Sequence, residues 1–174
     1  MSRAGDSWYG SLVDQSPVDP FAIDARALAR YLAGRLPGYS GGDLRVHKLT
    51  GGQSNPTYKL ESADGAFVLR KKPPGELLPT AHMIDREYRV VKALSESEVP
   101  VPTPLLYCED PQVIGTEFFV MSFVAGRSLW DPTLPDGEGG ISFSPASRRA
   151  IYDEMNRVLA ALHRAPYAQL GLAD

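Results

Sequence analysis

Two stretches of the sequence decide the fold, FVLR at residues 67–70 and DREYRV at residues 85–90. The first is a compact apolar run that ends in Arg70, and it predicts a β-strand. The second lies within an apolar stripe at helical spacing, with Glu87 in the middle of the stripe, and it predicts a helix over residues 80–96. Because this helix must cover the strand, the two stretches together predict a domain of mixed α and β structure.

Glu87 faces the core in this prediction, and a buried carboxylate is costly unless a cation meets it. Arg70 is the nearest candidate, because it leaves the strand that the helix covers. Lys71 points to the opposite face of that strand and is the weaker candidate. A strand cation held by a helix glutamate fixes a positive charge against the α- and β-phosphates of ATP. The alternative is that Glu87 lies at the edge of the stripe and is solvated.

A glycine-rich turn lies between two predicted strands, upstream of Arg70. In the functional interpretation its glycines let the backbone approach phosphates closely, while a serine hydroxyl and exposed N–H groups donate hydrogen bonds. In the alternative interpretation it is an ordinary turn between strands. It matches neither the G-x-G-x-x-G of protein kinases nor the P-loop. The candidate phosphate-binding residues of the turn are Gly51, Gly52, Gln53, Ser54 and Asn55.

The remaining segments predict an α+β fold built on a five-stranded antiparallel sheet. An N-terminal helix is predicted from its N-cap Asp24 to Leu36, and a C-terminal helix from its N-cap Ser144 to Arg164. Residues 1–23 are predicted to form a flexible arm. The strands are predicted at residues 44–49, 57–61, 66–70, 105–108 and 118–123.

The composition narrows the classes of partner. The chain has 174 residues, 43% of them hydrophobic, and a formal net charge of −3. Mild acidity argues against a nucleic-acid partner, and no apolar run approaches the roughly 20 residues of a membrane helix. Cys108 is the single cysteine, and the N-terminus does not read as a secretory signal. We therefore expect a soluble cytoplasmic protein with no nucleic-acid or membrane partner.

Five motifs, taken in order, resemble the aminoglycoside phosphotransferase and choline kinase-like family, which has a protein kinase-like fold. The motifs are GGQSNPTY at 51–58, VLR at 68–70, Glu87 in its helix, VPVP at 99–102 and FVM at 119–121. The run LRKKPPGELLP at 69–79, with DREYRV after it, resembles one branch of that family, which includes kinase-like domains found alongside acyl-CoA dehydrogenases. The likeness covers residues 24–174.

The resemblance implies a kinase-like N-lobe over residues 24–124. It implies a hinge exit, a loop and the first helix of an incomplete C-lobe over residues 125–174. Arg70 would stand where kinases place the lysine that holds the phosphates, with Glu87 as its partner. Met121 would lie at the gate in front of a hinge whose backbone binds adenine, and the hinge residues would be Ser122, Phe123 and Val124.

The implied reaction is transfer of the γ-phosphoryl group of ATP, with Mg²⁺, to a hydroxyl group of a small substrate. The family's catalytic loop is an H-G-D-x-x-x-x-N run, and a later D-x-D type aspartate holds the metal. None of His47, His82 and His163 is followed by Gly-Asp. We therefore expect no catalytic residue and no metal ligand in this chain, with the Mg²⁺ ligands and substrate contacts outside it. Aminoglycoside, choline-like alcohol and hydroxyacyl-CoA all stay open as substrates.

A second hypothesis belongs to another class, an inactive kinase-like module that acts through protein contacts. The predicted C-terminal helix has an apolar face that would normally pack inside a C-lobe, and without one it is an exposed patch. This predicts self-association, or exchange of the helix at residues 144–164 between copies. The face is formed by Ile151, Met155, Val158 and Leu162.

Overall fold

The computed structural model describes residues 21–49, 55–73, 83–137 and 142–173. Within these residues the fold is α+β, as the sequence predicted, with the five predicted strands and three helices. In chain order the elements are α1 (Ala25–Leu32), β1 (Arg45–Lys48), β2 (Thr57–Ser62), β3 (Gly65–Lys71), α2 (Ile84–Leu94), β4 (Pro104–Cys108), β5 (Phe118–Ser122) and α3 (Pro145–Arg164). None of the described helices is long and apolar enough to cross a membrane.

The five strands form one antiparallel sheet in the order β1-β2-β3-β5-β4. The strand β3 is therefore central, with β2 on one side and β5 on the other. In this register Arg70 lies opposite Thr57 on β2 and opposite Phe119 on β5. Because side chains alternate between the two faces of a strand, Arg70 shares a face with Val68, while Leu69 and Lys71 point the other way.

The helix α1 packs against one face of the sheet and buries the main core. Its N-cap is Asp24, as predicted, and the Asp24 carboxylate accepts hydrogen bonds from the backbone N–H groups of Arg26 and Ala27, at 2.9 and 3.0 Å. The helix ends at Leu32 and not at Leu36, because Gly34 adopts a positive φ of 71° that breaks the helical path. The buried residues of this core include Leu28, Leu32, Leu36, Tyr39, Tyr58, Leu60, Phe67, Leu69, Phe118 and Val120.

The helix α2 covers the opposite face of the sheet, beside β4 and β5. The Tyr88 ring stacks on the Tyr107 ring with the centroids 5.0 Å apart, and it lies 5.7 Å from the Phe119 ring. Ile84 and Leu94 at the two ends of α2 are buried. The start of the predicted helix, residues 80–82, lies outside the described residues. These contacts fix the height and rotation of α2 above the sheet.

The helix α3 follows a loop that folds back on its first turns. Ser144 is the N-cap, as predicted, and Pro145 occupies the first turn. Arg148 donates hydrogen bonds to the carbonyl oxygen of Leu134 (2.9 Å) and the carboxylate of Asp136 (3.0 Å). At the other end of α3, Ala161 joins Leu94 and Val99 in a second small core. The far end of α3 is thereby tied to the end of α2.

The structure also shows where the predicted N-terminal arm meets the fold. The hydroxyl of Tyr58 donates a hydrogen bond of 2.7 Å to the carbonyl oxygen of Phe21. Ile23 packs against the core beneath α1. Residues 21–23 therefore contact the fold, although the sequence placed them in the arm, and residues 1–20 lie outside the described residues.

We expect Leu32→Ala to lower the free energy of unfolding by about 2–5 kcal/mol, because Leu32 has no exposed surface and its removal leaves a cavity between α1 and the sheet. Urea denaturation followed by circular dichroism measures the change. The matched control is Arg30→Ala on the exposed face of the same helix, which should stay within about 0.5 kcal/mol of the parent. A Leu32→Ala variant as stable as the control would contradict the packing of α1 on the sheet.

Candidate functional site

The centre of the site is an ion pair between the central strand and α2. Arg70 Nη2 donates a hydrogen bond of 3.2 Å to Glu87 Oε2, and Arg70 Nε lies close to Glu87 Oε1 without the alignment of a hydrogen bond. The side chains keep 23% and 30% of their surface exposed. Glu87 is therefore paired rather than solvated, as the sequence predicted, and part of the Arg70 side chain remains exposed.

Two further residues close a ring of hydrogen bonds around this pair. Arg70 Nη1 donates to Thr57 Oγ1 at 2.7 Å, and Thr57 Oγ1 donates to the backbone carbonyl oxygen of Asn55 at 3.3 Å. Asn55 Nδ2 in turn donates to Glu87 Oε2 at 2.9 Å. The ring joins the segment before β2, the strand β3 and the helix α2. Sequence reasoning missed Thr57, and the signal would have been its position directly opposite Arg70 in the hairpin.

Asn55 is the one residue of the predicted glycine turn that the structure describes. Its side chain is 5% exposed and points at Glu87. Gly51, Gly52, Gln53 and Ser54 lie outside the described residues. The assignment of Asn55 as a direct ligand of phosphates stays a prediction, and its observed contact is with the ion pair.

The neighbouring lysines take different partners. Lys71 is 2% exposed on the face that packs against α1, with its ammonium 5.9 Å from the centre of the Tyr58 ring. Lys72 Nζ lies 3.3 Å from Glu117 Oε1. Lys71 thus points away from Glu87, as predicted from the strand alternation, and Arg70 is the cation that meets the carboxylate.

The predicted hinge lies where β5 ends. Met121 lies opposite Val68 and therefore on the face that carries Arg70. Ser122 is tied to the connector before β4, because its backbone N–H donates to the carbonyl oxygen of Thr103 and its hydroxyl accepts from the Thr103 N–H, both at 2.9 Å. Phe123 and Val124 follow the strand and are 37% and 65% exposed. The N–H of Ser122 is consequently engaged within the protein, whereas Phe123 and Val124 lie at an open edge.

A charged cluster that sequence reasoning missed lies beside the hinge on the same face of the sheet. Lys59 Nζ lies 2.6 Å from Glu61 Oε1 and 4.7 Å from the centre of the Phe123 ring. His47 Nε2 lies 3.2 Å from Glu61 Oε2. The hydrogen bond and charge of Lys59, with a smaller effect of His47, lower the pKa of Glu61. The available signal was the alternation along β2, which puts Thr57, Lys59 and Glu61 on one face.

The described residues outside this face add no metal centre. Within the ranges that the structure describes, no group of three His, Cys, Asp or Glu side chains could hold a metal ion. A cavity of about 620 Å³ lies between the start of α1 and the β1–β2 edge, and neither Arg70 nor Glu87 lines it. Of the predicted site residues, Asn55, Arg70 and Glu87 are brought together in the ring around Arg70.

Residues 45–174 match the model of the phosphotransferase enzyme family. The chain belongs to this family. The ordered series of motifs in the sequence agrees with this membership. The matched range contains every strand of the sheet together with α2 and α3.

Two curated relatives show the branch of the family. The chain is 49% identical over 154 residues to acyl-CoA dehydrogenase family member 11 of Rattus norvegicus, covering 86% of this chain and 19% of that protein. It is 48% identical over 142 residues to acyl-CoA dehydrogenase family member 10 of Mus musculus, covering 82% and 13%. The chain therefore spans about a fifth or less of the length of these relatives. The predicted likeness to kinase-like domains of such proteins is confirmed.

A solved structure supports the fold. A Ralstonia eutropha protein assigned as an aminoglycoside phosphotransferase superposes with a TM-score of 0.71 and is 44% identical. The match covers 88% of this chain and 42% of that protein. The five-stranded sheet with its covering helix α2 therefore matches the N-lobe of a kinase-like phosphotransferase fold, as predicted.

We expect Lys59→Met to raise the pKa of Glu61 toward its ordinary value of 4.5, because the strongest cause of the lowered pKa is removed. The pH titration of the Glu61 carboxyl carbon, followed by NMR, measures this. A lowered folded-state pKa means that the parent gains stability above the ordinary pKa and loses it as the pH falls through the folded value, and Lys59→Met should weaken that dependence. Lys72→Met is the control, and an equal change in both variants would contradict a local pair.

Proposed function

We propose that the chain is the ATP-binding portion of a small-molecule phosphotransferase, which transfers the γ-phosphoryl group of ATP to a hydroxyl group. The observation that carries the proposal is the Arg70–Glu87 ion pair between the central strand and α2. Membership of the phosphotransferase enzyme family supports it independently. In this proposal the ion pair is the anchor for the α- and β-phosphates.

Arg70 suits this role because its donors are already oriented. Nη1 is held by Thr57 and Nη2 by Glu87, so the guanidinium plane is fixed before a ligand arrives. A planar guanidinium matches the geometry of phosphate oxygens, and a charge positioned in advance stabilises them without reorganisation. The carboxylate of Glu87 balances the charge of Arg70 when no phosphate is bound. The glycine turn at residues 51–54, which lies outside the described residues, stays predicted to donate hydrogen bonds to the phosphates.

We place the adenine base at the end of β5. Met121 lies on the Arg70 face of the sheet, so its side chain would form the gate beside the base. The N–H of Ser122 already donates to Thr103, and the backbone groups of Phe123 and Val124 would therefore bind the base. Of the three predicted hinge residues, Ser122 is therefore left out of the proposed adenine contacts, and Phe123 and Val124 are kept.

Mg²⁺ and the acceptor substrate complete the proposed reaction. We expect the Mg²⁺ ligands and the catalytic aspartate to lie outside this chain, because none of its three histidines is followed by Gly-Asp. The relatives named as acyl-CoA dehydrogenase family members favour an acceptor hydroxyl on an acyl-CoA-linked compound over an aminoglycoside or a choline-like alcohol. Mg²⁺ would supply charge neutralisation at the phosphates, while this chain would bind and orient the nucleotide.

The proposal predicts that Arg70→Ala and Glu87→Ala each abolish measurable Mg-ATP binding, because one removes the phosphate anchor and the other releases it. Lys72→Ala should bind as the parent does, since Lys72 pairs with Glu117. Isothermal titration of the 174-residue chain with Mg-ATP measures the three affinities. Equal losses in all three variants would indicate a diffuse charge effect and overturn the assignment of the site.

A second candidate function, an inactive interaction module, is favoured by the apolar face of α3. Four large side chains on this helix are substantially exposed, which is unusual for a stable surface. They are Tyr152 (42%), Met155 (58%), Leu159 (50%) and Leu162 (44%), whereas Ile151 and Val158 of the predicted face are half-buried. We propose that this face is covered either by further chain in a longer protein or by a second copy that self-associates or exchanges α3.

The second candidate predicts that the isolated chain self-associates at high concentration, and that Met155→Glu with Leu159→Glu makes it monomeric. The two substitutions lie on exposed positions, so the fold should be retained. Sedimentation velocity over a concentration series measures the assembly, with Arg149→Glu on a more exposed position as the control. A parent chain that stays monomeric throughout would rule out assembly through α3.

A further inference from the structure

We propose that Asn55 is a positioning residue that holds the Glu87 carboxylate in place for Arg70. This inference deepens the proposed function and rests on it. Its basis is the hydrogen bond of 2.9 Å from Asn55 Nδ2 to Glu87 Oε2, the same oxygen that accepts from Arg70 Nη2 at 3.2 Å. Asn55 thus acts on the phosphate anchor through Glu87 rather than by touching the nucleotide.

The burial of Asn55 supports a role inside the protein. Its side chain is 5% exposed, so it offers a ligand almost no surface. Its Oδ1 atom is buried and has no hydrogen-bond partner among the described residues. A buried acceptor without a partner costs stability, so stability alone does not account for this residue. The position of the carboxylate that it holds provides the reason.

The chemistry of the contact explains why an amide suits this position. An amide presents its N–H to the carboxylate, because its oxygen would be repelled there, so Glu87 selects the orientation of the Asn55 side chain. The amide carries no charge, so it orients Glu87 without competing with Arg70 for the pairing. A cation at this position would neutralise Glu87 and release Arg70, whereas a carboxylate would repel Glu87 from its place.

The ring of hydrogen bonds links Asn55 to Arg70 as well as to Glu87. Thr57 accepts from Arg70 and donates to the backbone carbonyl oxygen of Asn55. Asn55 therefore contacts Glu87 directly through its side chain. Its backbone carbonyl oxygen is linked to Arg70 through Thr57.

The decisive variant is Asn55→Asp. At neutral pH its carboxylate would face that of Glu87, and we expect the Mg-ATP affinity to fall by at least about tenfold. As the pH is lowered, a proton shared between the two carboxyl groups restores a donor to Glu87, and the affinity should recover. Asn55→Ala should lose affinity without this recovery. Titrations between pH 5 and pH 8, each divided by the parent value at the same pH, separate the two behaviours.

Asn55→Ala is the matched control, because it removes the amide that holds Glu87 Oε2 without placing a charge beside the carboxylate. Circular dichroism and urea denaturation of each variant establish that it is folded. If Asn55→Asp binds Mg-ATP as Asn55→Ala does at every pH, the positioning role is overturned.

The failure of this inference is distinguishable from the failure of the proposed function. If the parent chain binds no Mg-ATP, the proposed function fails, and the contact is then tested without a ligand. A double-mutant cycle of Asn55→Ala and Glu87→Ala, measured by urea denaturation, should be non-additive because the two side chains share one hydrogen bond. Additive losses in the free energy of unfolding would overturn the coupling between the two residues.

Discussion

The pairing of a half-buried carboxylate with a half-buried guanidinium is the constraint on which the site depends. Either Arg70 or Glu87 alone near the core would carry a desolvation cost, and the pairing of the two charges offsets that cost. Their reach sets the separation of α2 from β3, and the aromatic contacts of Tyr88 with Tyr107 and Phe119 hold α2 at that separation. The sheet order places Arg70 on the central strand, where both neighbours restrain it.

The two faces of the sheet have different roles, one in stability and the other in holding the charged groups. One face is mostly apolar, carries α1 and buries the main core, so it supplies most of the stability of the described fold. The other face carries the ring around Arg70 and the Lys59–Glu61–His47 cluster, and it remains open toward the hinge. A polar, accessible face backed by a rigid apolar one is the arrangement that a binding site on a sheet requires, because the donors are oriented before a ligand arrives.

Much of this could be predicted from particular residues. The apolar stripe around Glu87, the alternation that separates Arg70 from Lys71 and the caps Asp24 and Ser144 are local signals, and each predicted its element or partner. The ring could not be predicted in the same way, because Thr57 and Asn55 join it through strand register and helix placement. The engaged N–H of Ser122 depends likewise on the packing of Thr103 against the end of β5. These are contacts between segments distant in the chain.

The sequence by itself determined the fold class, the family and the two charged residues that must meet. The fold class and the charged pair followed from hydrophobic periodicity, capping residues and the cost of a buried charge, which are properties of short segments, and the family followed from the resemblance of five ordered motifs. Only the tertiary structure decided that Glu87 Oε2 is shared by Arg70 and Asn55, and that Thr57 holds the other arm of the guanidinium. Hydrogen bonds have strict limits of distance and angle, and those limits are met only after three separate segments have packed together.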